Sequence, residues 1–175
     1  MFKRVLKNER GLTLIELLAV IVILGIIAAI AIPAIGGLID NSKKDAHVSN
    51  AQQMINAAKI AVTADKDLIP ANGKAKIITL AYLENKGYLE TVKDPDKSEG
   101  GYKEGNDEVI DTTVDSDGKP NSEPANSSYV VIINNNNKLS YMVKLINASR
   151  GVQDANSKAV AEDNLKRSEV RQWFK

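Results

Sequence analysis

The sequence predicts an α+β fold in which one long N-terminal α-helix serves first as a membrane anchor and then as the backing of a small antiparallel β-sheet. Three observations carry that expectation. Residues 17–39 are 23 consecutive residues without a charge, rich in Ile, Val, Leu and Ala. Apolar residues then recur at Val48, Ala51, Ile55, Ala58 and Val62, the spacing of one helix face. Two β-rich runs, 129–133 and 139–146, flank Asn134, Asn135, Asn136 and Asn137, residues that tolerate left-handed turn conformations.

Taken in chain order, residues 1–11 form a basic leader. Lys3, Arg4, Lys7 and Arg10 against Glu9 give it +3, so the whole-chain +1 leaves −2 on the remainder. Residues 12–39 form the apolar helix; its uncharged part reaches about 34 Å at ~1.5 Å per residue, enough to cross a hydrocarbon core of ~30 Å. The excess of cations before it places the N-terminus in the cytoplasm and exports residues 40–175 as a globular head. Neither Pro nor Gly interrupts residues 38–69, so one helix is expected from about residue 12 to about residue 65, shared between anchor and head. Pro70 and Gly73 end it within 66–73.

A short amphipathic helix follows at 78–86, closed by Gly87, with Tyr88 and Leu89 tucked beneath it. The stretch 94–124 is dense in Asp, Gly, Lys, Ser and Pro and reads as an exposed loop with a short strand at 109–114. In the hairpin, Leu139, Tyr141, Val143 and Leu145 share one face and are expected to rest on the stripe from Val48 to Val62, with Ser140 and Lys144 on the other. Residues 157–174 are read as helix or coil, with Trp173 and Phe174 packing back on the sheet.

Composition narrows the function classes. The chain has no cysteine and one histidine, which excludes thiolate metal sites, cysteine nucleophiles and disulfides and removes the usual general base. No base and nucleophile pair suggests an enzyme, and no cofactor is implied. Scattered basic residues and a near-neutral balance give no footprint for nucleic acid. Asp111, Asp115, Asp117 and Gly118 resemble part of a calcium loop, but the third acidic position and the distal Glu are missing, so no metal is expected. The triplets at Asn126 and Asn147 match a glycosylation pattern short enough to arise by chance. His47 is expected to be a solvated helix residue, and Tyr82, Tyr88, Tyr129 and Tyr141 to be packing residues.

The informative run is Gly11-Leu12-Thr13-Leu14-Ile15-Glu16-Leu17-Leu18, a lone carboxylate at the entrance of an apolar segment. Thr13 and Glu16 fit a capping box, and an acid in the first turn suits the helix dipole. With the basic leader before it and the uncharged helix after it, the run resembles the class III signal of type IV prepilins, over residues 1 to about 40. The head resembles a major pilin without a C-terminal disulfide only in order and length. The resemblance implies cleavage between Gly11 and Leu12 by a prepilin peptidase and N-methylation of Leu12, which stands where pilins more often carry Phe.

By the same resemblance, Glu16 pairs with the Leu12 amine of a neighbouring subunit during assembly. Gly25 and Pro33 mark a stretch that loosens as the subunit passes from bilayer to filament. The implied partners are copies of the chain in a helical filament, the prepilin peptidase, the pilus assembly machinery and the membrane. The implied localisation is the cytoplasmic membrane, then an extracellular pilus serving motility, adhesion or surface sensing. A secretion-system pseudopilin or minor pilin is the alternative within the class, and a membrane-tethered extracytoplasmic binding protein the alternative outside it.

Overall fold

The computed structural model describes residues 13–172; Gly11, Leu12, Trp173 and Phe174, and the expectations that rest on them, lie outside those residues. The chain divides into two compact units that meet between Asp40 and Asn41. Helix α1, Leu14–Ala64, contributes to both.

In the first unit α1 is apolar all round. Leu14 is 88% exposed and Ile30 71% exposed. Among the described residues α1 is the one helix long and apolar enough to cross a membrane, with a mean hydropathy of 3.0 in its most apolar window.

In the second unit the same helix is amphipathic and its inner face is covered. Ala51, Ile55 and Ala58 are fully buried and Val62 nearly so, as the spacing predicts; Met54 and Ala61 are fully buried beside them, while Val48 is half-buried at the edge of the same cluster. Val130, Ile132, Val143 and Leu145 meet this face from the sheet. Each large side chain so buried contributes ~1.5–3 kcal/mol. This arrangement, one long helix on a small antiparallel sheet, is the α+β pilin-like fold expected.

Strands β1 (Lys74–Thr79), β2 (Val109–Thr113), β3 (Tyr129–Asn135), β4 (Lys138–Ile146), β5 (Arg150–Val152), β6 (Val160–Ala161) and β7 (Val170–Gln172) form a sheet of order β2-β1-β3-β4-β5-β7, with β6 also paired to β4. Every pairing is antiparallel. The β3–β4 hairpin turns on Asn136 and Asn137, at φ 51° and 62°, as a two-residue turn with both central residues left-handed requires. Asn135 joins β3 and pairs with Lys138, so the turn is tighter than four asparagines suggest.

The helix expected at 78–86 begins later, as α2, Leu80–Asn85. Ile78 and Thr79 instead end strand β1, which pairs β3 along its whole length, and Thr79 caps α2 by accepting from the Tyr82 amide (3.2 Å). The exit from α2 is as expected: the amides of Tyr88 and Leu89 both donate to the Leu83 carbonyl (2.9 and 3.2 Å), with Gly87 at φ +74°. Residues 157–172 hold β6, β7 and two 3₁₀ turns rather than a helix. Strands of two and three residues leave no periodic trace in sequence, because their pairing is dictated by β4 and β5.

The second face of the sheet is covered too. Ile77, Tyr129, Val131 and Met142 form a smaller cluster with Ala159. Lys144 emerges on this side yet is only 2% exposed, its Nζ donating to the Ala125 carbonyl (2.9 Å). Glu123 Oε2 accepts from the Tyr129 hydroxyl (2.6 Å) and the Ala159 amide (3.1 Å), tying both covering segments to the sheet. Near the end of the chain, Arg167 grips Asp45 of α1 through Nε (2.8 Å) and a terminal nitrogen (2.5 Å).

Candidate functional site

Among the described residues, two places that gather chemistry-bearing side chains bear on function. The first is the start of α1. Glu16 Oε2 accepts from the Thr13 amide and from the Thr13 hydroxyl, each at 2.8 Å, and the Glu16 amide returns a bond to Thr13 Oγ1 (3.3 Å). This is the reciprocal capping box that the Thr13 and Glu16 spacing allows. It satisfies amides that a helix start otherwise leaves without partners.

The structure thus brings Glu16 to Thr13, and both are exposed. Gly25 and Pro33 are internal to α1, which runs unbroken through them. Pro33 has no N–H to offer the carbonyl of Ala29, four residues back, and a side chain at Gly25 would meet nothing within 4 Å.

The second place was not legible as a site. His47 is fully buried, not solvated, and forms the centre of a polar cluster. Its Nε2 lies 2.9 Å from Asp96 Oδ2 and its Nδ1 lies 2.8 Å from the Tyr102 hydroxyl, which also accepts from Asn50 Nδ2 (3.1 Å). With the ring proton on Nε2, every one of these groups is satisfied. Arg150 holds both oxygens of Asp96, through Nε (2.7 Å) and a terminal nitrogen (2.6 Å), and Lys43 stands 3.6 Å away.

Asn147, also fully buried, donates to both oxygens of Asp94 (2.9 and 3.0 Å) and to Asp96 (3.2 Å). The Arg150 guanidinium, helped by His47 and Asn147, holds the Asp96 carboxyl far below the usual carboxylate range. At Asp94 burial pushes the carboxyl up, but bonds from Ser98, Asn147 and the Asp96 amide outweigh it and the net direction is down. Burial pushes the Tyr102 hydroxyl well above its ordinary range.

His47 Nε2 and one oxygen each of Asp94 and Asp96 lie within 4.8 Å of one another, a donor set that a metal ion can use. The set does not fit one here. Arg150 already supplies Asp96 with its counter-charge on both oxygens, and Asp94 is filled by Asn147 and Ser98. The cluster is a polar clasp between α1, the segment carrying Asp94 and Asp96, and the turn into β5.

One signal for it was present in the sequence: His47 stands four residues before Ala51, on the stripe that continues to Ile55, Ala58 and Val62. Asn147 was read only as part of a glycosylation triplet, which its burial rules out in the folded head. The other triplet has Asn126 exposed but Ser128 fully buried, its Oγ accepting from the Ile146 amide (3.0 Å). In the stretch compared with a calcium loop, Asp115 Oδ1 accepts from the amides of Asp117 (2.9 Å) and Lys119 (2.8 Å) and so folds its own turn, while Asp111 pairs across the sheet with Lys76 (2.8 Å).

Residues 6–32 match the family model described as the prokaryotic N-terminal methylation motif. The match covers the start of the chain alone and supports prepilin-type processing there. The motif covers the end of the basic leader and the entry into α1, and supports processing by a prepilin peptidase and association with a membrane. No curated protein and no solved structure matches the chain.

Proposed function

We propose that this chain is the precursor of a type IV pilus subunit, and that its function is structural. The observation that carries the reading is the methylation motif at residues 6–32 leading straight into an apolar helix whose side chains are uncovered in the single chain. The bilayer covers that helix first, and neighbouring copies cover it in the filament. Prepilin peptidase cuts between Gly11 and Leu12, on the cytoplasmic side of the apolar run. The basic leader leaves, the anchor stays, and the new Leu12 amine is methylated.

Inside a filament the Leu12 amine needs a counter-charge, and Glu16 is the only carboxylate between Arg10 and Asp40. Its capping bonds to Thr13 all use Oε2, and a carboxylate has acceptor capacity on two oxygens. Capping the helix and pairing with a neighbour's amine are therefore compatible roles. Gly25 and Pro33 let the helix between them loosen on the way from bilayer to filament. The assembled fibre serves the cell in motility, adhesion or surface sensing.

Mass spectrometry of fibres sheared from cells tests the reading. A mature chain starting at methylated Leu12 is expected. An intact Met1 on an unsheared membrane protein supports a membrane-tethered binding protein and overturns the pilus reading.

A further inference from the structure

Residues 86–108 connect α2 to β2 without helix or strand, and the central part, 93–101, is joined to the body through side chains. Among the described residues, its only backbone-to-backbone hydrogen bonds are internal: Lys97 amide to Asp94 carbonyl (3.1 Å) and Gly101 amide to Ser98 carbonyl (3.0 Å). Side chains join it to the body. Asn50 donates to the Lys93 carbonyl (3.0 Å), Asn147 and Arg150 hold Asp94 and Asp96, and His47 and Lys43 face Asp96.

The segment reads Lys-Asp-Pro-Asp-Lys-Ser-Glu-Gly-Gly and carries no large apolar side chain, so lifting it uncovers almost no hydrophobic surface of its own. The residues just outside it do the opposite. Val92 and Tyr102 both pack into the main core cluster. Gly100 and Gly101, at φ +77° and +64°, adjoin the Tyr102 end and give the backbone freedom to swing.

We propose that residues 93–101 form a strap that opens and closes between the anchors Val92 and Tyr102 while the sheet stays folded, with the grip of Arg150 and Asn147 on Asp96 and Asp94 as its switch. Local opening follows the contacts that it breaks, and here those are polar and belong to a few side chains. Opening bares His47 and Asn147, both fully buried when the strap is closed. Acid acts on the same switch. The charged and titratable groups around Asp96 are Lys43 and His47 from α1, Arg150 from β5, and Asp94 and Tyr102 from the connecting segment. Loss of the Asp96 charge releases the two cations that hold it.

Hydrogen exchange on the full-length protein in detergent micelles tests this. In Arg150→Gln, the amides of Asp96, Lys97 and Ser98 are expected to lose protection by at least about tenfold while those of Val131 and Ile132 in β3 hold theirs. Val143→Ala, which weakens the core away from the clasp, should do the reverse. In the wild type, acidification to about pH 4 or below, with intrinsic rates corrected, should release the strap amides before the β3 amides; this arm decides the matter if Arg150→Gln fails to fold. If strap and sheet lose protection by the same factor in every arm, or the strap amides do not respond, the strap does not open on its own and the proposal fails.

Discussion

The two halves of α1 are built from similar residues and treated in opposite ways. Ile23 is 56% exposed and Ile55 fully buried, although both are isoleucines on one continuous helix. Around Ile55 the apolar residues keep to a stripe and the sheet closes over it; around Ile23 they cover every face, and no sheet could cover them all. A face that is apolar all round is a demand for an external solvent or partner, whereas a stripe is a demand for the chain's own core. Folding energy therefore resides in the head, and on the proposed pilus reading assembly energy resides in the anchor.

The sharpest way to break that division is to cut it. A chain beginning at Asn41 is expected to stay folded and soluble and to form no filaments at all, as read by sedimentation and negative-stain microscopy. Fibres from this fragment would show that the head assembles unaided.

Next in size is Glu16→Gln, which removes the only charge within the apolar start while keeping its shape. Membrane insertion should be normal, since a neutral side chain is easier to bury. On the proposed pilus reading the ratio of sheared fibre to membrane-retained subunit should fall at least about tenfold, because the Leu12 amine would be left unpaired in a dry bundle. Thr13→Ala removes only the cap and should assemble nearly as well as wild type. Equal, mild defects in the two variants would reduce Glu16 to a capping residue.

The comparison also holds at the level of one methyl-bearing side chain. Ile55→Ala should lower head stability by ~2–5 kcal/mol, the range for a buried large-to-small change. Ile23→Ala should leave the thermal transition of the head where it was and weaken only the filament. Equal shifts would mean that the two halves are not energetically separate.

The smallest effect concerns acid. Asp96 and Asp94 have carboxyl groups held below their ordinary values in the folded head, so the stability they contribute is present above about pH 4, the unfolded value, and is lost as pH falls through the folded ones. Chemical denaturation in steps below about pH 4 should show this decline. In Asp96→Asn the decline should be shallower, from a lower starting stability.

What could be read in advance followed from periodicity. The long helix, the core stripe, the asparagine turn and the strand near residue 109 each announce themselves through spacing or turn chemistry. Strand β1 did not, because the alternation of Lys74, Ala75, Lys76 and Ile77 is short and its burial comes from β3 pairing alongside it. The clasp was invisible for a different reason. Lys43, His47, Asp94, Asp96, Asn147 and Arg150 come from three distant stretches, and only tertiary contact reveals that a charged loop and a lone histidine answer one another. At the start of α1 the position of Glu16 was legible, and the capping geometry with Thr13 followed from a spacing of three.

The grip of Arg167 on Asp45 closes a ring of chain 122 residues apart in sequence. In a protein without cysteine, this contact joins the two ends of the head as a crosslink would, but it is made of exposed charges. Ionic strength reaches such a bond, since salt screens surface charges within ~8–10 Å, and no redox chemistry is needed to undo it. Concentrated salt should therefore weaken this seam, which as an exposed pair adds little to stability, and leave the tail on the sheet, where β7 pairs with β5 and Val170 lies in the core.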